Sequence, residues 1–175
     1  MTLKNKTSFF ATALSLLLVI CSSCGIYSFS GTTISPDIKS MSIQTIENST
    51  GEGPSNLTDI VTTTFKNYYR RNTNLTVIQA EGDLQLAGQI VSFTYSPAAI
   101  EREGQQDQAS LNRLTLGIQV RFTNTKDPQK DFDRLFTISE NFEGDVDITQ
   151  IPAASITSMT ERLVTDVFNK TVADW

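Results

Sequence analysis

Alternating apolar and polar positions predict strands through the middle of the chain. From residue 112 to 124, apolar side chains occupy every second position between Leu114 and Phe122, and polar or small residues stand between them. A period of two is typical of a strand that buries one face and leaves the other in water. Less regular strand patterns occur at residues 38–46, 75–79, 84–96 and 132–142.

The strand predicted at 84–96 changes phase along its length. Its apolar positions up to Ile90 share one face, whereas Val91, Phe93 and Tyr95 share the other. A shift of one residue turns every following side chain to the opposite face of a sheet. The pattern therefore indicates a bulge, a bend or burial of both faces.

Two segments have the three- and four-residue spacing that is typical of helices. The first begins near residue 57 and has the stripe Leu57, Ile60, Val61, Thr64, Phe65 and Tyr68; the second, at 155–172, has Ile156, Met159, Leu163 and Val167. Because each helix has a single apolar stripe, each should pack on one side only.

The predicted order is β-α-β-β-β-β-α, which indicates an α+β fold. We expect a two-layer sandwich, with the two helices packed on one face of a mixed four- or five-stranded sheet. The first strand should run parallel to the strand that follows the first helix, because a helix joins them. The remaining pairs should be antiparallel.

The first residues carry the pattern of a secretory signal. Lys4 and Lys6 precede an uncharged apolar run at 9–20, and such signals have a basic start before an apolar stretch of roughly 7–15 residues. A bacterial lipoprotein signal has the same form and ends on the cysteine that carries the lipid, and Cys24 stands at that place. The run is too short for a membrane-spanning helix, which needs about 20 apolar residues.

The other cysteine, Cys21, is a weaker candidate for the lipid. It follows Ile20, which is branched and bulky, and it occupies the position where lipoprotein signals usually carry Leu. The expected organisation is a signal peptide at 1–23, a lipidated N-terminus and tether at 24–37, and a single α/β sandwich domain at 38–175.

The composition excludes several kinds of chemistry. The chain has no histidine, and its two cysteines lie in the predicted signal and lipidation site. A Ser-His-Asp relay and a zinc site of Cys and His are therefore excluded, and no phosphate-binding glycine motif occurs. The net charge is −5 and becomes more negative when Lys4 and Lys6 are removed, so nucleic acid is not an expected partner. We predict no enzyme activity, no catalytic residue, no metal and no cofactor.

Three short segments resemble the lipopolysaccharide-assembly lipoprotein family. They are CGIYSFSG at residues 24–31, LNRLTLGIQVRFTN at 111–124 and DVFNKTVADW at 166–175. The resemblance implies a palmitate-bearing lipoprotein on the periplasmic face of the outer membrane, which plugs and helps to assemble a β-barrel translocon that delivers lipopolysaccharide to the cell surface. The implied partners are this outer-membrane β-barrel protein and, as a candidate ligand, lipopolysaccharide itself.

The polar face of the 112–124 strand supplies the candidate contacts, which are Arg113, Thr115, Gln119 and Arg121. A polar face suits the lumen of an outer-membrane barrel, which is itself polar. Arg113 and Arg121 lie roughly 27 Å apart at about 3.4 Å per strand residue, so they cannot hold the same phosphate. The long polar connection at 97–110 is a further candidate contact, since long loops often carry function.

A second class of function stays open. The order of strand, loop, helix and strand from 38 to 79 also resembles curli-secretion lipoproteins and the N-terminal domain of the Tol-system propeller protein. That resemblance implies a secretion-channel or envelope-complex lipoprotein subunit. A lipoprotein that only binds other envelope proteins is the third alternative.

Overall fold

The computed structural model describes residues 34–98, 111–143, 147–148 and 151–172. The predicted α+β sandwich, with two helices on a mixed sheet, is confirmed, and the sheet has six strands instead of four or five. The elements are β1 (Ser40–Ile43), β2 (Glu47–Asn48), α1 (Leu57–Asn72), β3 (Thr76–Ile78), β4 (Leu84–Pro97), β5 (Leu111–Asn124), β6 (Phe132–Glu143) and α2 (Ala153–Thr171). A 3-10 turn at Pro128–Lys130 precedes β6.

The additional strand arises because the first predicted strand is divided in two. Gln44 still donates its backbone N–H to the carbonyl of Leu86 at 2.9 Å. The N–H of Ile46 instead donates to the hydroxyl of Thr62 on α1 at 3.0 Å, while the Ile46 side chain is fully buried. Because a buried N–H needs a partner, this bond to the helix allows the chain to leave the sheet before β2 begins.

The strands lie in the order β3-β1-β4-β5-β6, with β2 beside β4. The parallel pairing of β1 with β3 is as predicted. The expectation that all other pairs are antiparallel is wrong, because β1 and β2 both run parallel to β4. Only the β4–β5 and β5–β6 pairs are antiparallel.

The connection at 79–83 takes the chain from β3 to β4. Because β1 lies between these two strands, the connection crosses β1, and β4 then runs parallel to β1 on its other side. Gly82 lies directly against the crossed strand: a Cβ at this position would be 2.8 Å from the carbonyl carbon of Met41 and from the amide nitrogen of Ser42. A residue with a side chain would collide with backbone there, so the crossing requires glycine.

Asp83 fixes the end of this crossing connection. Its carboxylate accepts the backbone N–H groups of Lys39 at 3.0 Å and Ser40 at 3.1 Å, and the hydroxyl of Ser40 at 2.8 Å. Lys126, in the turn after β5, lies 3.3 Å from the same carboxylate. The hydrogen bond from Lys39, followed by that from Ser40, holds the pKa of Asp83 well below its usual range.

The phase change in β4 is a bulge, one of the three predicted alternatives. Ile90 pairs with Ile118 and Ser92 with Gly117, so Val91 has no counterpart on β5. The extra residue returns Phe93 to the core, where it is 1% exposed, and leaves Val91 42% exposed. The apolar residues on both sides of the bulge therefore reach the same side of the sheet.

The two helices cover that side and also contact each other. Buried side chains of α1 and α2 join those of β1, β4 and β5 in one hydrophobic core. The hydroxyls of Tyr69 and Thr171 share a buried hydrogen bond of 2.7 Å, and the rings of Tyr69 and Phe168 are 5.3 Å apart. In the described part of the chain, no helix has the length and apolar character needed to cross a membrane.

Candidate functional site

The predicted contact residues lie together on the side of β5 opposite the core. Arg113, Thr115, Gln119 and Arg121 alternate with side chains that are fully buried beneath the helices. We call this side of β4, β5 and β6 the polar face. All four predicted residues are at least partly accessible there, and each one contacts β6.

At one end of the polar face, side-chain hydrogen bonds to neutral acceptors join the two strands. Arg113 stands opposite Asn141 and donates from Nε to its side-chain oxygen at 3.0 Å. Thr115 stands opposite Ser139, and their hydroxyl oxygens are 2.9 Å apart. Arg113 therefore has no carboxylate partner among the described residues.

At the other end, the partner is a carboxylate. Arg121 places Nη2 at 2.9 Å and Nε at 3.0 Å from one oxygen of Asp133, while Gln119 donates to the other oxygen. The bond from Gln119, followed by that from Arg121, lowers the pKa of Asp133 below its ordinary value. The Arg121 side chain is still 71% exposed, so it can contact a partner while it holds Asp133.

A shallow apolar strip separates these two polar ends. Gly117 stands at its centre opposite Thr137, and Leu135 and Val91 flank it on β6 and at the bulge. Leu135 is 50% exposed and Val91 42% exposed. The polar face thus has three parts: an end where Arg113 bonds to a neutral partner, an apolar middle, and an ion-paired end with Arg121 and Asp133.

The ion-paired end continues into a cleft of about 330 Å³. Gln44, Glu47 and Gln89 line it together with Arg121 and Asp133. Amide, carboxylate and guanidinium groups of this kind can hydrogen-bond a polar partner. No cluster of three or more His, Cys, Asp or Glu suited to a metal ion occurs among the residues that the structure describes.

Sequence reasoning missed the residues of β6 that complete this face. Asp133, Leu135, Ser139 and Asn141 alternate with Phe132, Phe136 and Ile138, whose shared face is visible in the sequence. The same alternation indicated that the residues between them lie on the polar face. Their pairing with β5 required the register of the sheet.

Two other predicted features fall outside the described residues. Cys24 lies within residues 1–33, and most of the connection at 97–110 lies within 99–110. Both remain predictions.

A family model for lipopolysaccharide assembly, LptE, matches residues 38–171. The chain belongs to the LptE family. The family resemblance predicted from the three short segments is thus confirmed, and at the family level the function of this protein is lipopolysaccharide assembly. No curated protein matches the chain significantly by sequence.

Solved structures resemble this chain in fold at low sequence identity. The hypothetical protein CT253 from Chlamydia trachomatis has a TM-score of 0.50 at 9% identity, and the match covers 76% of this chain and 95% of that one. The lipoprotein GNA1162 from Neisseria meningitidis has a TM-score of 0.43 at 12% identity, with 75% and 99% covered. PelC from Paraburkholderia phytofirmans, a dodecamer, has a TM-score of 0.43 at 10% identity, with 77% and 92% covered.

Proposed function

We propose that this LptE-family protein is a non-catalytic outer-membrane lipoprotein that plugs a β-barrel translocon and helps to assemble it. The observation that carries the proposal is the polar face, which the helices leave open in a protein whose family assembles lipopolysaccharide. The lumen of an outer-membrane barrel is polar. Arg113, Thr115, Gln119 and Arg121 would therefore face the barrel wall or the lipopolysaccharide that passes it.

The negative charge of the protein favours a role in which it occupies the barrel over one in which it attracts lipopolysaccharide. With a net charge of −5, the chain does not attract an anionic glycolipid through its overall field. Arg113 is the polar-face cation that has no carboxylate partner in the described part of the chain, whereas Arg121 is paired with Asp133. Arg113 would thus be the first candidate for a direct contact with lipopolysaccharide. The main role of the protein would be to occupy the barrel.

Crosslinking from the polar face in living cells tests the proposal. A photoreactive amino acid at Thr115 or Gln119 should crosslink to one large outer-membrane barrel protein. The matched control is Asn67, which is exposed on α1, and its crosslinking yield should be lower. Capture of a ladder of copies of the same chain from Thr115 would favour a secretion ring and overturn the barrel proposal.

The lipid anchor has its own test. Two or more acyl chains hold a protein stably on a membrane, whereas one holds it only marginally. Cys24→Ser should release the domain from the outer membrane or leave an unprocessed precursor, and Cys21→Ser should behave like the parent. Normal processing and outer-membrane retention of Cys24→Ser would show that the anchor lies elsewhere.

Depletion of the protein tests its role in export. Cells that lack it should misassemble the barrel and retain lipopolysaccharide inside the envelope. A normal barrel and normal surface lipopolysaccharide in depleted cells would contradict the proposed role.

A further inference from the structure

The polar side chains of the polar face bond to one another. Arg121 and Gln119 both donate to Asp133, and the hydroxyls of Thr115 and Ser139 share a hydrogen bond. A partner that engages these groups must first replace bonds that already exist. Such an exchange between exposed groups yields little net binding free energy. These residues can orient a partner, but they are a weak source of affinity.

The apolar strip has the opposite character. Three large apolar side chains are exposed among the described residues, Val91, Leu111 and Leu135, and two of them belong to the strip. Leu135 is 50% exposed and Val91 is 42% exposed. Because removal of apolar surface from water is the main favourable term in protein association, the strip can gain from a partner what its polar neighbours cannot.

Packing holds the strip in a fixed shape. Gly117 is buried at its centre, where a Cβ would be 3.0 Å from Cβ of Ser92 and 3.6 Å from Cδ1 of Leu135. Leu135 therefore lies across the glycine with its outer side in water. The bulge leaves Val91 without a counterpart on β5, while the pairing of β4 with β5 continues on both sides of it. A site that is already ordered loses little conformational entropy when it binds.

The charge beside the strip selects the chemistry of its partner. The cleft at the ion-paired end begins at Gln119, which stands opposite Leu135. Its charged lining residues are Glu47, Arg121 and Asp133. Arg121 and Asp133 pair with each other, whereas Glu47 has no cationic partner among the described residues. This side of the strip is therefore negative, which disfavours a polyanionic glycolipid and favours a neutral or basic protein segment.

We propose that the apolar strip is the centre of the contact with the barrel, where it receives an apolar side chain of the barrel wall. The part of the wall that passes the cleft would be neutral or basic. An apolar centre inside a polar rim is usual in protein interfaces, and a few central side chains carry most of their binding free energy. The inference rests on the proposed function, because the barrel is its partner. It assigns the affinity to Val91 and Leu135 and not to the four polar residues of β5.

Recovery of the barrel with the affinity-tagged full chain from cell membranes tests this assignment. Leu135→Asp and Val91→Asp should each lower the amount of barrel recovered by about tenfold, as expected for a central contact. Both positions are exposed, so the thermal midpoint of unfolding should fall by less than about 8 °C. Leu135→Met keeps an apolar side chain of similar size and should keep the parental recovery.

Two control variants separate the strip from its surroundings. The double variant Arg121→Ala/Asp133→Ala removes both members of the ion pair, so recovery of the barrel should fall by less than about twofold. Asn67→Asp adds a negative charge on the exposed side of α1 and should leave recovery unchanged. A loss in the double variant as large as that in Leu135→Asp would overturn the assignment. Parental recovery by a folded Leu135→Asp protein would also overturn it.

A photoreactive amino acid at position 135 identifies the occupant of the strip. It should capture the barrel protein in living cells, whereas capture of lipopolysaccharide or of a second copy of the chain would overturn the inference. Barrel capture from Thr115 together with parental recovery by Leu135→Asp would remove the inference and leave the proposed function intact. Failure to capture the barrel from both Thr115 and position 135 would remove both.

Discussion

The two faces of strand β5 differ in how strongly packing determines their residues. On the helix side, Leu114, Leu116, Ile118 and Val120 are fully buried. On the other side, the Arg121 side chain pairs with Asp133 and is 71% exposed. Burial contributes most of the folding free energy and exposed polar contacts contribute little. Substitutions on the polar face can therefore alter partner binding while the fold stays intact.

The largest effect is expected in the core. Leu116→Ala removes a fully buried side chain between the sheet and the helices. Substitutions of this kind cost about 2–5 kcal/mol, since they combine lost burial with a cavity. Denaturant unfolding of the variant should show this loss. Thr115→Ala, one residue away on the polar face, is the control and should lower the free energy of unfolding by only about 1 kcal/mol, through its lost strand propensity and its hydrogen bond to Ser139. A similar cost for both variants would contradict the division between the faces.

A smaller loss is expected where the chain crosses β1. In Gly82→Ala the added Cβ would lie 2.8 Å from the backbone of Met41 and Ser42. The backbone must move to remove this collision, and overpacking of this kind typically costs about 1–3 kcal/mol. The thermal midpoint should fall, whereas Glu81→Ala, at the exposed preceding position, should keep the parental midpoint. A parental midpoint for Gly82→Ala would mean that the crossing adjusts without cost.

The bonds of Asp83 should make stability depend on pH. Its pKa lies well below the ordinary value of 3.8 in the folded protein, chiefly through the N–H of Lys39 and then the side chain of Ser40. A lowered pKa stabilises the fold above the unfolded-state pKa, and this stabilisation disappears as the pH falls through the folded-state value. Asp83→Asn should therefore be less stable than the parent at pH near 7, and the difference should narrow below about pH 4.

A matched variant separates this effect from general acid destabilisation. Asp166 is exposed on α2, where no hydrogen bond to its side chain is found among the described residues. Unfolding curves of Asp166→Asn should follow those of the parent across the same pH range. A constant difference between Asp83→Asn and the parent from pH 7 to pH 3 would contradict the assigned cause.

Local periodicity predicted the elements whose environment repeats along the chain. The alternation from Leu114 to Phe122 is found in β5 as expected. The first helix begins at residue 57 as predicted, and the second begins and ends within two residues of its predicted bounds. The phase change near Ile90 indicated the bulge as one of three alternatives. In each case the apolar residues repeat at a fixed spacing because one face of the strand or helix packs against the core.

The features that the sequence did not predict depend on contacts between distant residues. The first strand breaks because the Ile46 N–H meets Thr62 on α1. The parallel β1–β4 pair depends on a crossing that Gly82 permits and Asp83 fixes. For the polar face, the four residues of β5 were predicted, but their partners on β6 depend on strand register. No local pattern specifies such pairings.

The smallest effect is expected when the change made at Leu116 is repeated on the polar face. Leu135 lies one strand away on β6, but its side chain is 50% exposed at the edge of the sheet. Truncation there leaves no closed cavity, so Leu135→Ala should lower the free energy of unfolding by less than about 1 kcal/mol. The two variants carry the same chemical change, so the difference between their unfolding free energies measures what the helix layer adds. If Leu135→Ala costs as much as Leu116→Ala, then the polar face is part of the folding core, and its open residues are not free to serve a partner.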